Sequence, residues 1–505
     1  MERNIQDLVS KIKEIEFAFS AKEGAKTISS VEYDSRKVSK GSLFVAVEGF
    51  SVDGHNFVDA AIKNGAIAIL ISSKRVNEFS HLVEEQINVL VSNDTRKALA
   101  QISAAFYDFP SKKMKLIGIT GTNGKTSATY MIESILKTCG KSVGVIGTIN
   151  TRWKDKSFVS SNTTPESRDL QKTLFEMQKD DVQYVVMEVS SHALVLDRVN
   201  SIEFDAIAFT NLTGDHLDFH KDMEDYFNAK KMLFDLLSES GKEKKAALVN
   251  IDDSYGMKIF DERSKYPYTL DGFGLNENAK YRADENSVQN KISGLSYALK
   301  SPFDGAKINM QMVGGFQLYN SLTVLSVLSS MNISIADIQN GLASLTGVPG
   351  RFDVVRSDVE IPVIVDYAHT SDALDKLLNS VSEMRTGRII TVFGCGGDRD
   401  KTKRPVMGKI ASLNSDQVVV TSDNPRTEDP NAIIADITAG IDKNNYIVIA
   451  DRKKAIEEAV SMATHGDIVV IAGKGHEDYQ ILGKEKIHFD DHEEARKALA
   501  MRNKN

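Results

Sequence analysis

Short runs of apolar residues alternate along the chain with longer stretches in which apolar residues recur at helical spacing. Such runs predict buried strands of a parallel sheet, and the stretches between them predict helices that cover both faces of that sheet. The predicted strands cover residues 115–119, 142–146, 184–189, 206–210 and 246–250 in the middle of the chain, and 363–367, 389–393, 417–421, 446–450 and 467–472 near its end. The pattern therefore predicts an α/β protein with mostly parallel sheets.

The first part of the chain shows the same pattern on a smaller scale. Predicted strands cover 31–36, 42–47, 66–71 and 89–91, and a helix is predicted over 95–107. A length of 505 residues allows about three domains. We predict a small N-terminal α/β domain over 1–94, a central domain over 95–346, and a C-terminal Rossmann-like domain over 347–505.

A glycine loop, GTNGKT, follows the apolar run 115–119 and opens a helical pattern over 127–138. Glycines let the backbone N–H groups of such a loop point inward, and the helix start adds the positive end of its dipole, so the loop suits phosphate groups. Lys125 is placed to reach the β- and γ-phosphates of a nucleotide, and the Thr126 hydroxyl to bind Mg²⁺. The spacing is shorter than the full G-x-x-x-x-G-K-T, so a plain glycine turn stays open as the alternative. We predict a central P-loop ATPase domain.

Polar residues follow two other predicted strands of the middle block. Glu188 lies at the end of the run 184–189, followed only by Val189, and a carboxylate there can hold Mg²⁺ directly or through water. His216 follows the run 206–210 and is a candidate metal ligand. A structural role is the alternative for either residue taken alone. Because both follow strands of the sheet that carries the glycine loop, the pattern favours a metal site at this edge.

Three polar loops follow strands of the last block, at 395–400, 423–426 and 473–477. Because the carboxyl ends of parallel strands meet at one edge of a sheet, these loops are expected to gather there. Arg399 and Arg426 can each form two parallel hydrogen bonds with a carboxylate, although a solvated loop arginine explains either one taken alone. Together with the loop GKGHE they predict a binding site.

Composition and charge narrow the class of protein. Apolar residues make up 41% of the chain and charged residues 26%, and the net charge of −8 indicates no general nucleic-acid-binding surface. The two cysteines, Cys139 and Cys395, form no C-x-x-C pair, so neither a zinc site nor a disulfide framework is predicted. The sequence shows neither a signal peptide's apolar core nor a run of about 18 apolar residues. We expect a cytoplasmic protein that neither binds nucleic acid nor inserts into a membrane.

A series of longer motifs occurs in order along the whole chain. They are YDSRKVSKGSLFVAVEGFSVDG, GTNGKT, NTTPE, MEVSSHAL, TNLTGDHLDFH, YFNAKK, VPGRFDVV, VDYAHTSDAL, FGCGGDRDKTKRPVMG, DNPRTEDP and AGKGHEDYQI. Together these motifs resemble the Mur ligase family, and within it the MurE type. The resemblance implies a UDP-binding N-terminal domain, a central ATP-binding domain and a C-terminal ligase domain.

The resemblance implies ATP-dependent amide bond formation in peptidoglycan precursor synthesis. The carboxylate of UDP-MurNAc-L-Ala-D-Glu would attack the γ-phosphate of ATP to give an acyl phosphate, and the amine of a diamino acid would then displace phosphate. This route suits the chemistry, because phosphorylation gives a poor electrophile a leaving group. Phosphoryl transfer mainly needs positioning and charge neutralisation, which Lys125 and two Mg²⁺ ions would supply.

The resemblance also implies roles for individual residues. The catalytic positions are matched by Lys125, Glu188, His216 and Lys230, and the Mg²⁺ positions by Thr126, Glu188, His216 and Lys230. Lys230 matches a lysine that the family carries as a carbamate. The binding positions are matched by Gly121, Thr122, Asn123, Gly124, Lys125, Thr126, Asn320 and Arg351 for ATP; by Tyr33, Ser35, Thr163, Thr164, Ser190 and Arg198 for UDP-MurNAc-dipeptide; and by Arg399, Asp423, Asn424, Pro425, Arg426, Gly473 and Glu477 for the diamino acid. Residues 50–52 match a segment near the uridine.

The identity of the diamino acid rests on Arg426. Lysine-adding relatives carry another residue at this position, so the resemblance implies meso-2,6-diaminopimelate. L-Ornithine and L-lysine stay open as alternatives, because Arg426 could not bind the substrate if it paired with Glu428 or Asp429 instead. Two further hypotheses are a sister ligase, either D-alanyl-D-alanine-adding or folylpolyglutamate-forming, and a binding or scaffold protein that has lost catalysis. The DNPR loop and the N-terminal block argue against a sister ligase. The intact candidate catalytic residues argue against a scaffold.

Overall fold

A computed structural model describes residues 1–20, 26–49, 52–216, 219–355, 357 and 361–502. The chain divides into two compact units, the first formed by Met1–Phe273 with Ser326–Ile333 and the second by Gly274–Leu325 with Ser334–Asn505. Phe50 and Ser51, from the segment matched to the uridine position, lie outside the described residues. No helix in the described part of the chain is long and apolar enough to cross a membrane.

The N-terminal part of the first unit is built on a mostly parallel sheet. Its strands lie in the order Glu16–Phe19, Asn88–Ser92, Ala66–Ser72, Ser42–Val45 and Ser30–Glu32, and the edge strand Glu16–Phe19 is antiparallel. A separate antiparallel pair is formed by Arg3–Asn4 and Thr27–Ile28. The α-helices are Ile5–Val9, Val58–Lys63 and Thr95–Phe106, and the 3₁₀ helices are Ser35–Lys37, Gly54–Phe57, Ser73–Val83 and Pro110–Lys113.

One predicted strand in this part is too long. The prediction covered residues 31–36, but the strand ends at Glu32 and a 3₁₀ helix begins at Ser35. The reason is local, because the Asp34 side chain accepts a hydrogen bond from the backbone N–H of Arg36 and starts a turn. The other predicted strands of this part are confirmed, with ends that differ by a few residues.

A larger sheet forms the rest of the first unit. Its strands lie in the order Lys156–Val159, Asn150–Trp153, Val143–Ile146, Tyr184–Glu188, Lys115–Thr120, Ala206–Phe209, Ala246–Asn250 and Thr269–Gly274. The strands from Val143–Ile146 onward are parallel, and the first two form an antiparallel hairpin. The α-helices are Lys125–Thr138, Ser167–Lys179, Ser191–Val195, Met223–Glu239 and Ser254–Asp261, and Arg263–Lys265 is a 3₁₀ helix. The predicted strands of the middle block are thus confirmed.

The second unit contains a Rossmann-like sheet. Its strands lie in the order Asp353–Val355, Val363–Asp366, Ile468–Ala472, Ile389–Phe393, Gln417–Val420 and Tyr446–Val448. The edge strand Asp353–Val355 is antiparallel to its neighbour, and the other strands are parallel to one another. Its α-helices are Ile335–Ser344, Ser371–Ser382, Lys403–Asn414, Pro430–Thr438, Arg452–Met462 and Asp491–Arg502; the helix Phe316–Ser330 is shared between the units, and Glu285–Ser287 is a 3₁₀ helix. Antiparallel partners of Gly294–Ser301 are Tyr281–Ala283, Gln289–Lys291 and Lys307–Met310, and a hairpin joins Tyr479–Leu482 to Glu485–His488.

A buried ion pair lies beneath the loops at the carboxyl edge of this sheet. The guanidinium of Arg452 donates two hydrogen bonds of 2.7 Å to the carboxylate of Asp491, and both side chains are fully buried. Arg452 also donates to the carbonyl of Ala472, where the strand Ile468–Ala472 ends (3.1 Å). The pair thus links the first turns of two helices to the end of a central strand.

Asp491→Asn is expected to lower the free energy of unfolding of the second unit by about 3–5 kcal/mol, because it leaves the buried Arg452 charge without its partner. The measurement is urea unfolding followed by far-ultraviolet circular dichroism, since the single tryptophan, Trp153, lies in the first unit. Lys376→Met removes the exposed Lys376–Asp372 pair and should cost less than about 1 kcal/mol. Equal effects of the two substitutions would contradict the prediction.

Candidate active site

The glycine loop joins the strand Lys115–Thr120 to the helix Lys125–Thr138, as predicted. Gly121 and Gly124 have φ values of 141° and 87°, a region that favours glycine. A Cβ atom on Gly121 would also collide with the hydroxyl of Thr210. The loop therefore needs glycine both for its turn and for its close approach to the neighbouring strand.

Lys125 folds back over this loop. Its Nζ donates hydrogen bonds of 2.9 Å to the carbonyl oxygens of Gly121 and Thr122. The backbone N–H of Thr122 donates to the carbonyl of Asn211 (2.8 Å), and that of Asn123 to the Asn211 side chain (3.0 Å). The lysine charge is therefore held directly over the loop.

Glu188 lies at the same edge of the sheet and is held by two threonines. The Thr126 hydroxyl lies 3.1 and 3.0 Å from its two carboxylate oxygens. Thr148 donates to it from its backbone N–H (2.9 Å) and its hydroxyl (3.0 Å). Glu188 is only 1% exposed. Hydroxyl and carboxylate oxygens are ligands that Mg²⁺ prefers, so the Thr126–Glu188 pair fits such an ion.

Thr148 was not predicted from the sequence. It follows the strand Val143–Ile146 and Gly147, and this position after a strand of the same sheet is the signal that the sequence offers for it. A Cβ atom on Gly147 would collide with the Glu188 carboxylate. The loop after this strand is therefore shaped around Glu188.

Lys230 lies on the helix Met223–Glu239 and points into the protein. It is 1% exposed, and its Nζ donates to the carbonyl of Gly121 (2.9 Å) and lies 4.5 Å from the ring centre of Tyr226. Burial, and next the nearby charge of Lys125, hold the pKa of Lys230 well below its ordinary value. A buried amine of lowered pKa next to the glycine loop is chemically distinct from a solvated surface lysine.

His216 lies in the loop that follows the strand Ala206–Phe209. Its ring centre is 4.9 Å from that of His192 and 6.0 Å from that of Tyr226. The Tyr226 hydroxyl lies 3.3 Å from that of Thr122. Tyr226, which the sequence did not reveal, thus lies among the glycine loop, His216 and Lys230. Within the described ranges, which omit residues 217 and 218, no group of three or more His, Cys, Asp or Glu side chains surrounds a metal position.

The four predicted dipeptide-binding residues of the middle block come together beside Glu188. The Thr164 hydroxyl donates to the Glu188 carbonyl (2.8 Å) and accepts from the backbone N–H of Ser190 (3.1 Å). Arg198 donates to the Thr164 carbonyl (3.2 Å), and the Thr163 hydroxyl lies 3.1 Å from that of Thr148. These residues therefore line one continuous region that extends from the glycine loop.

Tyr33 and Ser35 lie in the N-terminal part of the first unit. The Tyr33 hydroxyl donates to Asp169 on the helix Ser167–Lys179 (2.8 Å), and Arg168 of that helix forms an ion pair with Glu32. Burial, and next the hydrogen bond to Asp169, raise the pKa of Tyr33. The helix begins just after Thr163 and Thr164, so the residues matched to the uridine are tied to those matched to the dipeptide.

In the second unit, the predicted loops gather at one edge of the sheet. The Asn424 side chain donates to Glu477 (2.9 Å), and its backbone carbonyl accepts from Gly397 (2.9 Å). Arg426 donates to the carbonyl of Gly397 (2.6 Å), whereas Arg399 is exposed and donates to the carbonyl of Asp398 (3.1 Å). The predicted gathering of the three loops is confirmed by these contacts.

Glu428 and Asp429, the two acidic residues considered as ion-pair partners of Arg426, bind other groups in the structure. Glu428 accepts hydrogen bonds from Arg404 (2.9 and 3.1 Å), and Arg404, together with the backbone N–H of Asp398, lowers the pKa of Glu428 to about 2. Asp429 caps the helix Pro430–Thr438. Within the described part of the chain, Arg426 forms no ion pair with either of them. Neither carboxylate therefore neutralises the Arg426 guanidinium, which donates to the Gly397 carbonyl.

Asn320 and Arg351, matched to the nucleotide, also lie in the second unit. Asn320 is buried and donates to the side chain of Gln317 (2.9 Å). The Arg351 guanidinium lies 5.0 Å from the ring centre of Tyr367. Asp366 precedes Tyr367 in the sequence, and burial raises its pKa to about 6 although it accepts a hydrogen bond from the backbone N–H of Phe352 (2.7 Å).

Comparison with known families accounts for most of the chain. Residues 119–328 match the Mur ligase middle domain, residues 350–475 the Mur ligase glutamate ligase domain, and residues 27–107 the catalytic domain of the Mur ligase family. The sequence thus has the three-domain α/β architecture of that family.

Individual proteins give the same result over nearly full length. The chain is 45% identical over 468 residues to UDP-N-acetylmuramoyl-L-alanyl-D-glutamate–2,6-diaminopimelate ligase 1 of Clostridium acetobutylicum, covering 92% of this chain and 93% of that protein. It is 45% identical over 480 residues to the corresponding ligase of Clostridioides difficile, covering 94% and 95%. A solved structure of a ligase with this name superposes with a TM-score of 0.72 at 30% identity and covers both chains fully. This chain therefore belongs to the Mur ligase family of ATP-dependent amide ligases.

Proposed function

We propose that this chain joins meso-2,6-diaminopimelate to UDP-MurNAc-L-Ala-D-Glu in peptidoglycan precursor synthesis, with ATP as the source of energy. The relatives that are 45% identical over more than nine-tenths of their length are named for this reaction. The observation that carries the proposal is the joint position of Lys125, the Thr126–Glu188 pair and the buried Lys230 around one glycine loop. Phosphoryl transfer needs positioned groups and neutralised charge, which these residues together with Mg²⁺ would supply.

The glycine loop and Lys125 would bind the phosphates of ATP. In the first step the substrate carboxylate attacks the γ-phosphorus, and the bond from that phosphorus to the bridging oxygen breaks to give ADP and an acyl phosphate. Negative charge moves onto the bridging oxygen, and Lys125 lies where it can stabilise that charge. In the second step the neutral amine of the diamino acid attacks the acyl carbon, loses a proton and displaces phosphate.

Thr126, Glu188 and His216 would serve Mg²⁺, and a carbamate on Lys230 would support a second ion. Bound Mg²⁺ neutralises charge on the phosphate oxygens. The structure supports the carbamate through the state of Lys230, because carbamylation needs an uncharged amine and burial lowers the pKa of this one. The amine adds to carbon dioxide, a C–N bond forms, and one proton is released.

Substrate binding would use the remaining matched residues. Tyr33 and Ser35 would lie near the uridine. The cluster of Thr163, Thr164, Ser190 and Arg198 would hold the muramoyl-dipeptide next to Glu188. The nucleotide would also contact Asn320 and Arg351. The diamino acid would be held by Arg399, Asp423, Asn424, Pro425, Arg426, Gly473 and Glu477. We expect the protein to act as a cytoplasmic monomer.

The test of this function is release of phosphate from ATP in the presence of UDP-MurNAc-L-Ala-D-Glu and a panel of amino acids. We expect release that depends on both the nucleotide sugar and meso-2,6-diaminopimelate, with a tripeptide product identified by mass. Release that depends on D-alanyl-D-alanine or on a folate instead would identify a sister ligase. Binding of the substrates without release of phosphate would identify a scaffold.

Arg426→Ala is expected to lower the preference for meso-2,6-diaminopimelate over L-lysine by roughly ten- to a hundredfold, measured as the ratio of kcat/KM values. Lysine lacks the distal carboxylate, and a charge-assisted hydrogen bond to that group contributes about 1.5–3 kcal/mol. Because about 1.4 kcal/mol corresponds to a tenfold change, this energy gives the expected change in preference. The structure favours this assignment over ornithine or lysine, because Glu428 pairs with Arg404.

The matched control is Arg385→Ala, which removes an arginine of the same unit that pairs with Asp416 at the surface. This control should leave the preference within about twofold. A wild-type preference for lysine or ornithine that Arg426→Ala does not change would overturn the assignment of the diamino acid and leave the ligase reading intact.

A further inference from the structure

Lys474 is a buried cation that the reaction described above does not use. It lies in the loop after the strand Ile468–Ala472, and its side chain is 0% exposed. A fully buried ammonium loses its hydration, so it persists in a fold only when nearby groups replace the water. Its partners therefore indicate what it does.

Those partners are two of the residues assigned to the diamino acid. Lys474 Nζ donates to Asn424 Oδ1 at 3.2 Å and to Glu477 Oε2 at 3.1 Å. It also lies 5.3 Å from the ring centre of Tyr479. One buried charge thus joins the loop after the strand Gln417–Val420 to the loop that carries Glu477.

These bonds fix which way the Asn424 amide faces. Its Oδ1 accepts from the Lys474 ammonium and from the backbone N–H of Ile481 (2.9 Å). Both groups are donors only, so the oxygen must face them and the amide nitrogen must face Glu477, to which it donates at 2.9 Å. Without Lys474, one of the two groups that hold this orientation is lost.

The same bonds place the Glu477 carboxylate. Its Oε2 accepts from both Asn424 and Lys474, while the side chain stays 16% exposed and so remains within reach of a ligand. Two donors behind a carboxylate set its position, and a carboxylate in a fixed position is a partner for an ammonium group.

We infer that Lys474 is a positioning residue that sets the selectivity of this site for the distal ammonium group of the diamino acid, acting through Asn424 and Glu477. The inference rests on the proposed function, since it deepens the assignment of the diamino-acid site. It makes a separate claim from that for Arg426, which concerns the distal carboxylate. The two claims therefore call for different substrate analogues.

The test compares meso-2,6-diaminopimelate with 2-aminopimelate of the same configuration at the reacting amine. This analogue keeps both carboxylates and lacks only the distal amino group. For Lys474→Met we expect the ratio of kcat/KM for the two compounds to fall about tenfold. We expect the KM for diaminopimelate to rise about tenfold, with the KM values for ATP and the nucleotide sugar within about twofold of wild type.

The matched control is Lys486→Met. Lys486 lies 3.7 Å from the ring centre of the same Tyr479, on the exposed hairpin strand Glu485–His488. Its substitution should leave every kinetic value within about twofold of wild type. If Lys474→Met does not fold, Lys474→Gln keeps a neutral donor, and the same ratio is measured with it. In a Glu477→Gln background, substitution of Lys474 should no longer change the ratio by more than about twofold.

The outcomes separate this inference from the proposed function. Wild-type protein that does not respond to diaminopimelate would overturn the proposed function. Wild-type activity with a ratio that Lys474→Met leaves unchanged would overturn the positioning role alone. A lowered melting temperature with equal loss for both compounds would also overturn it, because it would show that Lys474 only stabilises the fold.

Discussion

Lys125→Ala is expected to lower turnover by at least about 10²- to 10³-fold while the protein stays folded. The ammonium lies directly over the glycine loop, 2.9 Å from the carbonyl oxygens of Gly121 and Thr122. In the proposed reaction, charge develops on the bridging oxygen as ADP leaves, and a preorganised cation stabilises it without further rearrangement. Removing the side chain removes that stabilisation.

Turnover is measured by phosphate release at saturating substrates, and folding by a thermal melt. Lys137→Ala is the matched control, since Lys137 lies on the same helix, Lys125–Thr138, and its exposed side chain pairs with Glu133, which Arg152 also binds. It should keep turnover within about twofold. Near wild-type turnover of Lys125→Ala would contradict the role of the loop in catalysis.

Lys230→Ala is expected to be nearly inactive, with a loss comparable to that of Lys125→Ala. The proposed carbamate would turn a buried amine into an anionic oxygen ligand for Mg²⁺, and alanine supplies no ligand. Short-chain carboxylic acids should restore part of the activity by entering the vacated space. Preparation without bicarbonate should lower the activity of the wild-type protein, and isotopically labelled bicarbonate should give a carbamate signal by NMR.

The neighbouring lysine provides a sharp control. Lys231 lies one position further along the same helix and pairs with Glu262, so Lys231→Ala should keep activity within about twofold. Lys230→Met tests whether lost volume explains the defect, since it fills the same space. An active Lys230→Met variant, or wild-type protein without a carbamate signal at full activity, would refute the modification.

Much of the fold is readable from the sequence for a physical reason. Strands buried on both faces of a parallel sheet must be apolar throughout, so runs such as the one that ends before Gly121 stand out from their surroundings. Residues at the ends of such strands and in the loops that follow them reach the carboxyl edge together, which is why Glu188 and the loop that carries Asn424 were identified as site candidates. The glycine loop was identified because its turn tolerates few other residues.

Strand ends were predicted less well, because side chains there can bind the backbone and compete with strand pairing. Asp34 started a turn where the apolar pattern predicted that the strand would continue, because a short carboxylate can bind the backbone N–H two residues on. Thr148 was missed for a related reason. A threonine after a strand is common, and only the folded structure shows that this one donates to Glu188.

The sequence by itself determined the family, the alternation of strands and helices, and the loops that carry the chemistry. The tertiary structure decided which side chains are buried and which groups they meet. Lys230 and Lys231 are adjacent in the sequence, and neither composition nor spacing distinguishes an amine held at the glycine loop from one paired with Glu262. Successive residues of a helix point about 100° apart, so the packing of the helix Met223–Glu239 against the sheet alone determines which of the two is enclosed.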